Sequence, residues 1–175
     1  GSSYTTTGEP IQKIGAGVSQ ISSTLYNAVL RADLTVTART AHKVYMKFVP
    51  QSTDANVDDT IDFKFKNSRK YPIKIVVTCE NGACTASIYG YQEANEAKVE
   101  IDVKILQTVE YGKQTQNDAT MTKGTTKVIQ SPVEGYVSEA YKVYYQNEKE
   151  TSRKLISKDT YVPVEEITKV GTKAP

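Results

Sequence analysis

Gly15-Ala16-Gly17-Val18-Ser19-Gln20-Ile21-Ser22-Ser23-Thr24-Leu25-Tyr26-Asn27-Ala28 reads as a glycine-rich turn feeding a helix. Ile21, Leu25 and Val29 recur at i, i+4 and i+8, with Ala28 and Ala32 beside them, and predict one apolar stripe. Unpaired backbone N–H groups at a helix entrance favour negative charge, so a nucleophile at Ser19 would sit in that field. The plainer reading is an ordinary capped helix with Ser19 or Ser22 as N-cap. Pattern alone leaves both open.

Downstream, Leu34-Thr35-Val36-Thr37 alternates like a short strand, and Val44, Met46 and Phe48 alternate again after His42. Ile61, Phe63 and Phe65 recur at period two between Asp58 and Lys66, predicting a half-buried strand. Ile73 to Thr78 and Thr85 to Tyr89 flank Asn81-Gly82, the strongest short-range hairpin signal. With Asn81-Gly82 as the two loop residues, Cys79 faces Cys84 in a non-hydrogen-bonded pair. Cα atoms of such a pair approach to about 4.5 Å, within disulfide range. The first half is therefore expected to be α+β, one main helix packed on antiparallel strands.

Residues 91–96 read as a linker. Val99, Ile101, Val103 and Ile105 then alternate with charged residues as a clear strand. Ala140 to Tyr145 and Ser152 to Ile156 predict two more strands around Gln146-Asn147-Glu148-Lys149, with Tyr161 to Thr168 last. The stretch beyond residue 90 contains no Phe, Cys, His or Trp. So few large apolar groups cannot build a thick core, which predicts an elongated all-β second domain. Two domains follow, 11–92 and 97–175, behind an irregular 1–10 whose Gly1-Ser2-Ser3 resembles a tag remnant.

Net charge is +2, split as about +3 ahead of residue 91 and about −1 beyond it, with no dense basic run interleaved with aromatics. Nucleic-acid binding therefore has no support. No apolar run approaches the ~18–20 residues of a membrane span. One His and two close Cys make no metal site, and no cofactor motif is present.

Gly15 to Ala28, Arg39-Thr40-Ala41-His42, Phe48-Val49-Pro50 and Asp54-Ala55 resemble the VanW-like domain of bacterial cell-envelope proteins. Asn67, Tyr71-Pro72-Ile73 and Ile88-Tyr89-Gly90 fit that family's closing strands, and the likeness covers about residues 11–90 as the C-terminal portion of the family's domain. It implies a link to peptidoglycan and L,D-transpeptidase-type acyl transfer with a cysteine nucleophile. Here that position is Ser19, and the family's domain normally has more chain ahead of the glycine turn. The second half resembles the extracellular G-five module through Gly124-Thr125, Gly135-Tyr136, Lys149 to Arg153, Tyr161, Pro163 and Val170-Gly171-Thr172. That family is associated with surface adhesion and binding of N-acetylated sugars.

The resemblance implies a catalytic set of Ser19, His42 and Asp54. Ser19 holds the nucleophile position, and His42 removes or returns the proton. Asp54 either orients His42 or caps a turn after Pro50. A helix entrance activates a thiol far more than a hydroxyl, so thiol chemistry should be lost at Ser19. A helix of about fifteen residues spans about 22 Å, and Leu34 to Thr37 can return most of that way, bringing His42 within reach. Gly17, Gln20, Ser22, Ser23 and Thr24 either line a peptide cleft or serve the helix. Arg39 either holds a substrate carboxylate or is a solvated strand-edge charge.

The implied partners are peptidoglycan stem peptides or wall glycan. The implied location is extracellular, on a Gram-positive wall, with any membrane anchor outside these residues. Two functions stand: an acyltransferase made inactive by Ser19, or a non-catalytic wall-binding, structural or adhesion protein.

Overall fold

The computed structural model describes residues 3–4, 10–11 and 17–174. Gly15 and Ala16 of the opening motif lie outside the described residues. Two short strands, β1 (Ser3–Tyr4) and β2 (Pro10–Ile11), pair antiparallel ahead of the helix α1 (Val18–Arg31). The N-cap is Gly17, at φ 110°, so neither Ser19 nor Ser22 caps the helix. A left-handed φ of this kind is what a glycine tolerates without strain.

The buried face of α1 also differs from the expected stripe. Ser22, Ser23, Tyr26, Val29 and Leu30 are buried, whereas Ile21 is exposed. The serines go inward because their hydroxyls meet backbone partners there (below), which removes the cost of burying them.

Strand β3 (Thr35–Ala38) pairs antiparallel with β4 (Lys64–Lys66). Only the end of the expected 58–66 strand forms. Asp58 instead accepts hydrogen bonds from the N–H groups of Thr60 and Ile61 at 2.7 and 2.8 Å, which closes a turn. The alternation Val44–Met46–Phe48 yields no strand either. Backbone bonds in and beside it are instead local or reach distant sequence: Phe48 N–H to Met46 O and Val162 N–H to Lys43 O.

The hairpin β5 (Lys74–Glu80) and β6 (Ala83–Tyr89) forms in the expected register, with Asn81 and Gly82 at positive φ. Cys79 and Cys84 are disulfide-bonded, their Cα atoms 4.1 Å apart. Thiol titration of the unfolded, unreduced protein should find none free, and two free thiols would refute the bond. So short a loop limits the stabilisation to about 2 kcal/mol by the entropic account.

The second half contains six strands. They are β7 (Lys98–Val109), β8 (Lys113–Thr122), β9 (Thr126–Gln130), β10 (Gly135–Gln146), β11 (Lys149–Tyr161) and β12 (Glu166–Lys173). They form two three-stranded sheets, ordered β11-β10-β7 and β8-β12-β9, with β12 parallel to β8 and all other pairs antiparallel. The last strand begins at Glu166 rather than Tyr161. Pro163 has no N–H to give a ladder, and the chain passes from one sheet to the other there.

One face of the first sheet packs on the first half. The central cluster joins Tyr26, Leu30 and Ala55 to Val36 and Phe63, and to Ile101 of β7 and Ile156 of β11. On β10, Ser138, Ala140 and Lys142 are buried in alternation on one face. Lys142 reaches Asp33 at 2.7 Å, and Ser138 Oγ meets Ser52 Oγ at 2.8 Å.

Candidate functional site

The site is built on the segment from Pro50 to Val57, whose buried backbone is almost fully paired. Asn27 of α1 donates to Thr53 O at 2.7 Å. Ser22 Oγ donates to Ala55 O at 2.6 Å, and Ala55 N–H donates to Ser23 Oγ at 2.9 Å. Asn56 N–H bonds Thr40 O at 2.8 Å, and Ser157 Oγ of β11 donates to Ser52 O at 2.9 Å. Each of these satisfies a backbone group that burial would otherwise penalise. The polar stripe Ser22–Ser23–Asn27 thus holds this loop against the helix.

That loop presents Asp54, 2% exposed. Its Oδ2 accepts the backbone N–H of His42 at 2.7 Å and the ring Nδ1–H at 2.6 Å. Its Oδ1 accepts Arg39 Nη2 at 3.0 Å and the Tyr161 hydroxyl at 2.6 Å. Burial alone would raise the carboxyl's pKa, but the His42 ring and backbone N–H groups, Tyr161 and the Arg39 charge together lower it. Asp54 is therefore an anion with every lone pair engaged. Arg39 also donates from Nε to Asp54 O at 2.7 Å and from Nη1 to both oxygens of Asp159 at 2.7 and 2.8 Å.

A carboxylate only accepts, so it assigns the proton to Nδ1 in the neutral imidazole and leaves Nε2 as an acceptor. Nε2 is buried and has no partner among the described residues. The ring's other neighbour is Phe48, edge-on at 6.1 Å. A carboxylate orienting a histidine through Nδ1 is one element of a general base, the other being an Nε2 that reaches the reacting proton.

Ser19 lies in the first turn of α1. Its hydroxyl lies at the outer limit of hydrogen-bond range from Asn56 Oδ1 (3.4 Å) and Val57 O (3.5 Å). Ser19 and the His42–Asp54 pair thus border the same short segment, residues 54–57. No hydrogen bond joins Ser19 to His42 among the described residues. Gly17 O accepts the N–H groups of Gln20 and Ile21, and Thr24 Oγ1 bonds back to Gln20 O at 2.8 Å.

Two expectations need correction. Ser22 and Ser23 do not line a cleft, because their hydroxyls are committed to Ala55. Arg39 is neither solvated nor free for a substrate carboxylate, because its fork is taken up by Asp54 and Asp159.

Comparison with known proteins places this arrangement. The family model described as VanW like protein matches residues 2–89, half of the chain. The chain belongs to the VanW-like family. The match begins at residue 2, ahead of the expected boundary at 11, and a G5 domain model follows at residues 100–173. The Bacillus subtilis (strain 168) protein YoaR is 36% identical over 89 residues, covering 50% of this chain. The chain spans only 29% of that relative's length. Among solved structures, an IgA1 protease G5 domain is similar at 24% identity, covering 45% of this chain and 95% of that one, with a TM-score of 0.29. The G5 segment of HP0197 is similar at 16% identity, covering 43% and 99%, with a TM-score of 0.25.

VanW-like and G5 domains together mark a cell-wall-associated protein, typical of the extracellular cell envelope. Among the described residues, no helix is long and apolar enough to cross a membrane.

Within the VanW-like half, sequence reasoning missed Asn27, Ser52 and Asn56. Asn27 lies one helical turn beyond Ser23, a spacing that could have flagged a continuous polar stripe. Asp159 and Tyr161 of the G5 half, on the same face of β11, carried no sequence signal for partners more than a hundred residues away.

Proposed function

We propose that this chain binds the peptidoglycan of the cell wall without turning it over, with the G5 half serving as an attached arm. The observation that carries this reading is the setting of Ser19. Its hydroxyl lies at the limit of range from Asn56 Oδ1 and Val57 O, and among the described residues it makes no hydrogen bond to the imidazole. A serine hydroxyl without an aligned base is a poor nucleophile at neutral pH. Stem peptides or wall glycan are the ligands that the family and the extracellular setting favour.

A second reading has its own support. His42, held through Nδ1 with Nε2 unoccupied, suits acyl transfer once residue 19 is a thiol. The first turn of a helix depresses a thiol's pKa and raises its thiolate fraction. The thiolate would attack a stem-peptide carbonyl and form a thioester. Protonated His42 would return a proton to the departing amine, and an acceptor amine would then release the enzyme.

Mass spectrometry and co-sedimentation with purified wall sacculi test both. The protein should pellet with sacculi and gain no mass from stem peptide or β-lactam. A covalent adduct on Ser19 would overturn the binding-only reading. Ser19→Cys should acquire a β-lactam or peptide adduct, and His42→Ala in that background should slow its formation by about 10²-fold or more, the usual weight of a general base. An adduct that forms equally fast without His42 would sink the acyl-transfer reading.

A further inference from the structure

We propose that the VanW-like site is completed by the G5 half, with Tyr161 and Asp159 of β11 acting as positioning residues for the His42–Asp54 pair. The tyrosine hydroxyl is placed between two parts of one loop. It accepts the Ser52 N–H at 2.6 Å and donates to Asp54 Oδ1 at 2.6 Å. Tyr161 is 1% exposed, so water cannot take over either bond. Burial and the neighbouring Asp54 charge raise its pKa, which keeps the hydroxyl protonated and able to donate.

Ser52 is the strained residue of that loop, at φ 60°. Such a backbone persists where its surroundings over-determine it. Here those surroundings are largely G5 residues: Tyr161 on the N–H, Ser157 on the carbonyl and Ser138 on the hydroxyl. Asp159 completes the set by holding the Arg39 guanidinium, whose remaining donors fix the Asp54 carboxylate and carbonyl. Two side chains on one face of β11 thereby fix Asp54 through its Oδ1, Tyr161 directly and Asp159 by way of Arg39, and so set where Oδ2 meets His42.

The consequence is that site geometry depends on how the G5 sheet is seated. A load or ligand that shifts β11 changes the imidazole's orientation directly. This holds whether the site binds or transfers, so its failure is separable from failure of the proposed function.

His42 is the only histidine in the chain, so its ring Nδ1–H proton gives one assignable downfield NMR signal in the full-length chain. Tyr161→Phe and Asp159→Asn should each speed exchange of that proton by about tenfold or more, the effect of losing one buried hydrogen bond. Tyr144→Phe is the control. It removes another bond between the halves, Tyr144 to Asp33 at 3.0 Å, without touching the network around Asp54. It should leave the exchange within about twofold.

Asp159→Asn keeps the side chain's shape, so it decides the matter if Tyr161→Phe does not fold. An unchanged His42 signal in Asp159→Asn, or an equal acceleration in Tyr144→Phe, overturns the proposal. The first result would remove the positioning role, and the second would reduce it to general docking of the halves.

Discussion

Asp54→Ala is expected to destabilise the protein by about 3–5 kcal/mol, the range for breaking a buried ion pair by removing one partner. The substitution leaves four donors without their acceptor: the His42 backbone and ring N–H groups, Arg39 Nη2 and the Tyr161 hydroxyl. Water cannot reach most of them, so each bears a desolvation penalty that hydrogen bonding now offsets. Against a typical total of about 5–15 kcal/mol the variant would be marginal, with Tm lowered by about 10 °C or more. Urea denaturation of both proteins measures this directly. A difference under about 1 kcal/mol would mean that the network is dispensable.

The same carboxyl predicts an acid limb. Its folded pKa lies below the ordinary 3.8. A depressed carboxylate stabilises the fold fully above its unfolded pKa, and the contribution is lost as pH falls through the folded value. Wild-type stability should therefore decline below about pH 4, and Asp54→Asn should flatten that decline. Asp58 offers a contrast. Its pKa is also lowered, chiefly by the backbone and hydroxyl of Thr60, but it is fully exposed and its loss should matter far less.

How much of this was readable depends on how local each cause is. The hairpin around Asn81-Gly82 and the Cys79–Cys84 bond were legible because the turn chemistry and the pairing register lie within six residues. Helix α1 was legible as a helix, but its inward face was not. Hydrophobicity alone places Ile21 inside and Ser22 and Ser23 outside. Their burial depends on the carbonyls and N–H groups of a loop some thirty residues away.

Strands β8 and β9 escaped notice for a related reason. Lys113–Thr122 is polar apart from Ala119 and Met121 and almost entirely exposed. It is a strand because β12 pairs with it in parallel, and such pairing leaves no two-residue periodicity in a strand that buries neither face. At the site, the likeness to the VanW-like family drew attention to Ser19, His42 and Asp54. That Arg39 faces inward, and that Asp159 and Tyr161 complete the network, are long-range facts that no local pattern encodes.

The glycines of the second half set up the other large expected effect. Gly171→Ala should cost about 3 kcal/mol or more, at the upper end of overpacking penalties, because nothing nearby can yield cheaply. Gly171 is buried in β12, the central strand of its sheet. A Cβ there would overlap the Thr122 carbonyl oxygen and lie 2.8 Å from Met121 O. Both are backbone atoms of β8, so relief requires moving a strand rather than rotating a side chain. Gly171 also ties the β8–β9 turn, donating to Thr125 O at 2.8 Å and accepting from the Gly124 N–H at 3.2 Å. Displacement would therefore loosen three strands together. Gly135 is of the same kind, with Tyr161 O 2.6 Å from its would-be Cβ, so its substitution would also disturb the strand end that holds Asp54.

Gly82→Ala is the informative comparison. Gly82 has open space where a Cβ would stand but a φ of +78°, so only backbone strain opposes alanine, at about 1 kcal/mol. Equilibrium unfolding of the two variants distinguishes close approach from positive φ as the reason for a glycine. If Gly171→Ala proves no more damaging than Gly82→Ala, the tight backbone contact between β12 and β8 is not what makes a glycine necessary at 171.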